Sequence, residues 1–246
     1  MYNVNSLMPK IGTCLVAGLT FAGLLLLLGN GGTVWWFPPV VVFSLVGISL
    51  FAALVFPFVW HYKENHLELN SEKIYGVLYT LIRYSIAFSL ASFGWKKILG
   101  LQFVVPVEIA SKPMNQQTGE WLTWYYFGYS HTFGLIIAGV QIISSFLLLF
   151  RRTMLLAEVI LFSFMLNLTL INTFYGMNAG ALLQSVVLTT GILFLLLSEF
   201  NRLAAFFLKT TSQIPSLKLG KPSIKGIIRV SVIVLSLLFT IYLKFN

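Results

Sequence analysis

Arg83 and Glu158 stand out in this sequence because each falls inside a long apolar run, where a charge must have a reason. Arg83 opens the stretch RYSIAFSLASFGWKK, which Lys96 and Lys97 close. Counted from the start of its run near residue 74, it lies roughly 13 Å deep at about 1.5 Å of helical rise per residue. An unpaired charge at such a depth costs on the order of 2.5–3.5 kcal/mol, and snorkelling recovers only part of that. Glu158 lies about five residues into a second run that starts from the same side. The expectation is a buried Arg83–Glu158 ion pair joining two helices.

Polar and small residues at helical spacing extend this pattern. Arg83, Ala87, Ala91 and Gly94 share one stripe; Glu158, Phe162, Met165, Thr169 and Asn172 share another. His131, Gly134, Ala138, Gln141 and Ser145 form a third, and Asn178, Ala181 and Ser185 a fourth. Small residues let membrane helices approach closely, and polar ones hold them together. The stripes therefore have two readings that stay open: interhelical packing, or a polar cavity lined by His131, Gln141, Asn172 and Asn178. His61 and His66 are five apart in HYKENHLELN, so they do not align like an i,i+4 metal pair, and no two histidines sit at facing depths to hold a haem. No catalytic set and no metal site is expected.

The remaining composition excludes several chemistries. Cys14 is the one cysteine, so there is no dithiol and no intramolecular disulfide. Aspartate is absent, which removes the paired Asp motifs of metal-assisted prenyl transfer. Charged residues make up 9% of the 246. A soluble domain carries about 25%. The excess of 16 Lys and Arg over 7 Glu lies between apolar runs, where it sets topology rather than binding nucleic acid.

Seven runs approach the roughly 20 residues that cross a bilayer: 11–29, 38–60, 74–95, 126–150, 153–175, 178–199 and 226–243. The first, preceded by Lys10, reads as a retained span rather than a signal peptide, because GNGGTVWW offers no cleavage site. Placing the N-terminus in the cytoplasm puts eleven Lys and Arg inside and four outside, so the C-terminus is expected outside. Trp35, Trp36, Trp95, Trp121, Trp124, Tyr125 and Tyr126 then fall at outer ends, as an interfacial aromatic belt should. Pro57 falls near the end of the second span, where it could kink the helix. The long outer loop 96–125 offers a contact surface, and the basic stretch TTSQIPSLKLGKPSIKG reads as a topology determinant against anionic lipid.

Two segments carry a family resemblance. Arg83–Leu99, RYSIAFSLASFGWKKIL, resembles the first helix of DoxX-like membrane proteins, with an arginine, an apolar helix, then glycine followed by lysine and leucine. Gly139–Leu161, GVQIISSFLLLFRRTMLLAEVIL, resembles that family's second helix, its basic turn and the start of the third. The family's acidic residue and glycine pair are replaced by Gln141, Ser144 and Ser145. The resemblance implies an all-α membrane protein with a four-helix core over 74–203, two added N-terminal helices in 1–73, and a basic loop plus a last helix in 204–246. It further implies a bacterial inner-membrane accessory subunit of a quinone-linked redox complex. Such a subunit is not catalytic alone, holds no intrinsic cofactor beyond a quinone or lipid, and touches membrane lipids and a protein partner. The alternatives are a small-molecule or lipid transporter and a structural assembly factor.

Overall fold

The computed structural model describes residues 6–66, 69–209 and 222–245, and every regular element among them is helical. In chain order these are α1 (Leu7–Leu28), α2 (Pro39–Asn65), α3 (Ser71–Ile98), α4 (Val107–Ala110), α5 (Gly119–Gly128), α6 (His131–Leu148), α7 (Met154–Phe174), α8 (Ala179–Ser198), α9 (Phe200–Ala204) and α10 (Pro222–Phe245). Seven of them, α1, α2, α3, α6, α7, α8 and α10, are long and apolar enough to cross a membrane. The architecture is that of an all-helical, multi-pass membrane protein.

Local chemistry explains several boundaries. Pro39 begins α2, where its missing N–H would have had no intrahelical partner. Asn70, Ser130 and Asn178 each turn a side-chain oxygen onto a backbone N–H of the first turn that follows, capping α3, α6 and α8. Two boundaries differ from expectation. The expected span 126–150 is broken at Tyr129–Ser130, where the Ser130 cap starts α6 and leaves residues 126–128 to α5. Also, α2 runs through Pro57 to Asn65, and α1 starts at Leu7, so Glu64 and Lys10 are helical rather than loop residues.

Helices α3, α6, α7 and α8 close into a four-membered ring, each packed on the next. Helix α1 sits against α3 and α8, and α2 packs on the outer side of α1. Residues Met1–Leu203 form one compact unit, and Ala204–Asn246 another. The shared core contains Ala17 of α1, Ile82, Ile86 and Leu90 of α3, Leu161 and Met165 of α7, and Ile192 and Leu195 of α8. Two glycines permit the closest crossings. A Cβ on Gly18 would lie 2.3 Å from the Ala53 Cβ, and one on Gly94 would lie 2.6 Å from Ile142 and 3.1 Å from the Ala138 carbonyl oxygen. These crossings follow the small-residue logic of membrane helix packing.

Large apolar side chains such as Phe43, Ile48, Phe51 and Phe58 on α2 point away from the bundle, as lipid-facing residues must. The helices of the first unit run alternately up and down. One end gathers Lys63, Lys73, Arg151 and Arg152, the basic end; the other gathers Trp35, Trp95, Trp124 and Tyr129, the aromatic end. The basic stretch 210–221 lies outside the described residues. Helix α10, in the second unit, carries the apolar segment Gly226–Lys244.

Candidate functional site

The expected Arg83–Glu158 pair does not form. Arg83 is 6% exposed, and its guanidinium turns toward the end of α6, donating to the Leu149 carbonyl at 3.4 Å and contacting the Met154 sulfur at 3.5 Å. Leu149 is the C-cap of α6, where carbonyls have no intrahelical partner and attract a cation. Glu158 is fully buried, and its nearest donor is the Tyr79 hydroxyl at 3.5 Å from Oε1. Arg83 Nε and Glu158 Oε2 have no hydrogen-bond partner among the described residues. Equal depth along two helices brings these residues to one level, but it does not set the direction of the side chains.

A part-buried ion pair exists one helix away. Lys10 of α1 is completely buried, and its ammonium donates to a carboxylate oxygen of Glu64 on α2. The same nitrogen lies 3.3 Å from His61 Nδ1 and 5.3 Å from the Trp60 ring centroid. The other Glu64 oxygen accepts from the Ser71 hydroxyl, which in turn accepts from Trp60 Nε1 at 2.8 Å. Five side chains from α1, α2 and the start of α3 are thereby locked at the basic end. The sequence places Lys10 and Glu64 outside the apolar runs, so their pairing is hidden; the one available signal is that two opposite charges flank the open ends of neighbouring spans.

A cavity of about 710 Å³ lies inside the four-helix ring and opens toward the aromatic end. Gln141 and Asn172 line it and are 1% and 5% exposed; Asn178 lines it at the mouth. Asn172 donates to the Ala181 carbonyl at 3.1 Å, and Asn178 donates to Glu120 at 3.0 Å. Among the described residues, Gln141 Oε1 has no hydrogen-bond partner, and neither has Nε2 of Gln184, another lining residue. His131 is not on the lining: as the first residue of α6 it is exposed beyond the Ser130 cap.

Helix α5 roofs the cavity with Leu122, Thr123, Trp124 and Phe127. Its first residue, Gly119, packs against the Tyr175 carbonyl closely enough that a Cβ would lie 2.4 Å from that oxygen. The wall beside α5 is aromatic. Phe103 and Phe127 stack at 5.5 Å and 18°, and Phe127 and Phe133 at 6.2 Å and 8°. Phe103 adopts a positive φ of 66°. That conformation costs a bulky L-residue energy, and its packing must hold it there. Lys97, half-buried, also lines the cavity: its ammonium donates to the Phe93 carbonyl at 3.3 Å and lies 5.6 Å from the Phe103 ring. Neither Lys97 nor this aromatic stack is expected from the sequence as part of a site; Lys97 reads there as a flanking charge.

No family model matches the chain. Over 128 residues, 51% of its length, the chain is 32% identical to a Bacillus subtilis (strain 168) protein called "Uncharacterized protein YwoB", of which the alignment covers 79%. No solved structure matches it. The chain belongs to the family of YwoB.

Proposed function

We propose that this YwoB-family chain is an accessory subunit of a membrane redox complex, and that it holds a quinone- or lipid-class amphiphile in the cavity of a DoxX-like four-helix core. The cavity is the observation that carries the reading. At about 710 Å³ it has the size of a small-molecule site, with apolar walls and a few convergent polar groups. It opens at the end where Trp and Tyr cluster, the level at which an amphiphile's polar part sits in a bilayer.

The lining fits a quinone-class group. Lys97 can donate to a ring oxygen, and the buried Oε1 of Gln141 has accepting capacity that nothing among the described residues uses. When bound, a quinone would supply the two-electron carrier chemistry that the chain's own side chains lack. The chain's contribution would be to seat the ring against Phe103 and Phe127, to hold its oxygens, and to keep water out beneath the α5 roof. The bacterial inner membrane, with the basic end cytoplasmic, is the setting that the Lys and Arg distribution supports.

Mild-detergent extraction of the chain from its own membrane, followed by native mass spectrometry, tests the reading. An accessory subunit comes with a stoichiometric protein companion and a bound amphiphile. A chain that runs alone and moves the amphiphile across proteoliposomes would replace the accessory role with transport. A chain that runs alone and carries nothing would refute both.

A further inference from the structure

We propose that the cavity selects amphiphiles whose head carries an anionic oxygen, and that the Lys97 ammonium is the counter-charge for that head. This inference rests on the reading that the cavity holds an amphiphile. It fixes the charge of the head, whether a ring or an alkyl chain bears it.

The charge inventory of the lining is the first observation. Among the described residues that line the cavity, Lys97 alone carries a charge; the other polar ones are amides, hydroxyls and an indole. Glu120 of the α5 roof does not line it, and Asn178 donates to that carboxylate at 3.0 Å. Lys97 itself makes no ion pair with a carboxylate among the described residues. The lining therefore presents a positive charge and no negative one. An ammonium beside apolar walls has lost part of its water, and an opposite charge is what offsets that loss. A neutral oxygen accepts a hydrogen bond but leaves the charge uncompensated. An anionic oxygen does both, and charge-assisted bonds are the stronger ones.

The direction of the Lys97 side chain is the second observation. Lys97 stands next to the last residue of α3, at the aromatic end of the bundle. A lysine so placed ordinarily lays its stem along the apolar surface and keeps its head in water. Lys97 turns the other way and is half-buried. Its ammonium donates to the Phe93 carbonyl, one turn back along α3, at 3.3 Å, and lies 5.6 Å from the Phe103 ring centroid. Both of those residues line the cavity. An ammonium has three N–H donors and the Phe93 carbonyl takes one, so the others are left for a ligand. A carboxylate or phosphate can accept them on its oxygens while Lys97 keeps its place.

Equilibrium binding to the purified full chain in nanodiscs of zwitterionic lipid tests the proposal. Empty nanodiscs give the amount of each probe dissolved in lipid, to which its affinity is referred. The probes are two tritiated pairs, each built on one skeleton. Hexadecyl phosphate and hexadecanol carry an anionic and a neutral head on an alkyl chain. Hydroxy-naphthoquinone, ionised at neutral pH, and its methyl ether do the same on a ring. In at least one pair the anion should bind about tenfold tighter than its neutral counterpart. The pair that shows this names the bearer, chain or ring. Lys97→Met should abolish the preference, and Lys97→Arg should retain most of it. Neutral probes that bind as tightly as the anions in both pairs, or a preference that survives Lys97→Met, would overturn the proposal and leave the amphiphile reading standing. Binding of none of the probes would overturn it as well, and an empty cavity in the native-membrane extract would remove the amphiphile reading itself. If Lys97→Met fails to fold, the preference on the unaltered chain and its retention in Lys97→Arg decide.

Discussion

Lys10→Met should be among the most damaging single substitutions in the N-terminal half of the protein. Lys10 is completely buried, and its ammonium is bonded to Glu64, 3.3 Å from His61 Nδ1 and above the Trp60 ring. Removing one member of a buried pair typically costs about 3–5 kcal/mol, because the remaining charge loses its partner without regaining water. Here the Glu64 side chain keeps 17% of its exposure and its bond from Ser71, which reduces the cost. The expected loss is about 2–3 kcal/mol. Methionine conserves the volume of the lysine stem, so a cavity contributes little. Glu64→Gln, which keeps the Ser71 bond, should cost about 1–2 kcal/mol. The double variant should fall well short of the sum, with a coupling of at least about 1.5 kcal/mol. Unfolding titrations in a mixed dodecylmaltoside–SDS system give these values. A Lys10→Met variant within about 0.5 kcal/mol of the parent, or additive single effects, would refute the argument.

Three further outcomes follow from the packing. Glu158→Gln should change stability by less than about 1 kcal/mol in the same titration, because Glu158 makes no ion pair with Arg83; a loss of about 3 kcal/mol or more would mean that the two charges pair. Gly94→Val should lose about 1–3 kcal/mol through overpacking against Ile142 and the Ala138 carbonyl, and a thermal midpoint equal to the parent's would place the α3–α6 crossing elsewhere. Asn178→Ala removes both the N-cap of α8 and the bond to Glu120, for about 1 kcal/mol; thermal unfolding that matches the parent would show that neither bond persists in the bilayer.

What the sequence makes legible, and what it hides, divides along physical lines. Apolar runs of span length locate the long helices because the bilayer imposes a single length scale. Spacing also places Gln141, Asn172 and Asn178 on stripes that the fold brings onto one cavity, since helical period alone decides which residues share a face. Side-chain direction is not legible. Arg83 and Glu158 share a level, yet Arg83 reaches for the free carbonyl of Leu149 instead, and a local helix end of that kind has no signature in hydropathy. Boundaries fail for a related reason. Hydropathy marks where the apolar run stops, not where the hydrogen-bonded helix stops, so Lys10 and Glu64 read as surface charges while the helices carry them into contact. His131 falls off the lining because Ser130 interrupts what hydropathy reads as one span. The α5 roof and the Phe103 turn depend on packing between segments far apart in the chain, which periodicity does not report.

Electron cryomicroscopy of the chain in nanodiscs of its own membrane lipid tests the central claim most directly. The account predicts density of one bound amphiphile inside the four-helix ring, in contact with Lys97 and Gln141. A cavity that holds water alone, or one closed by its own side chains, would contradict it.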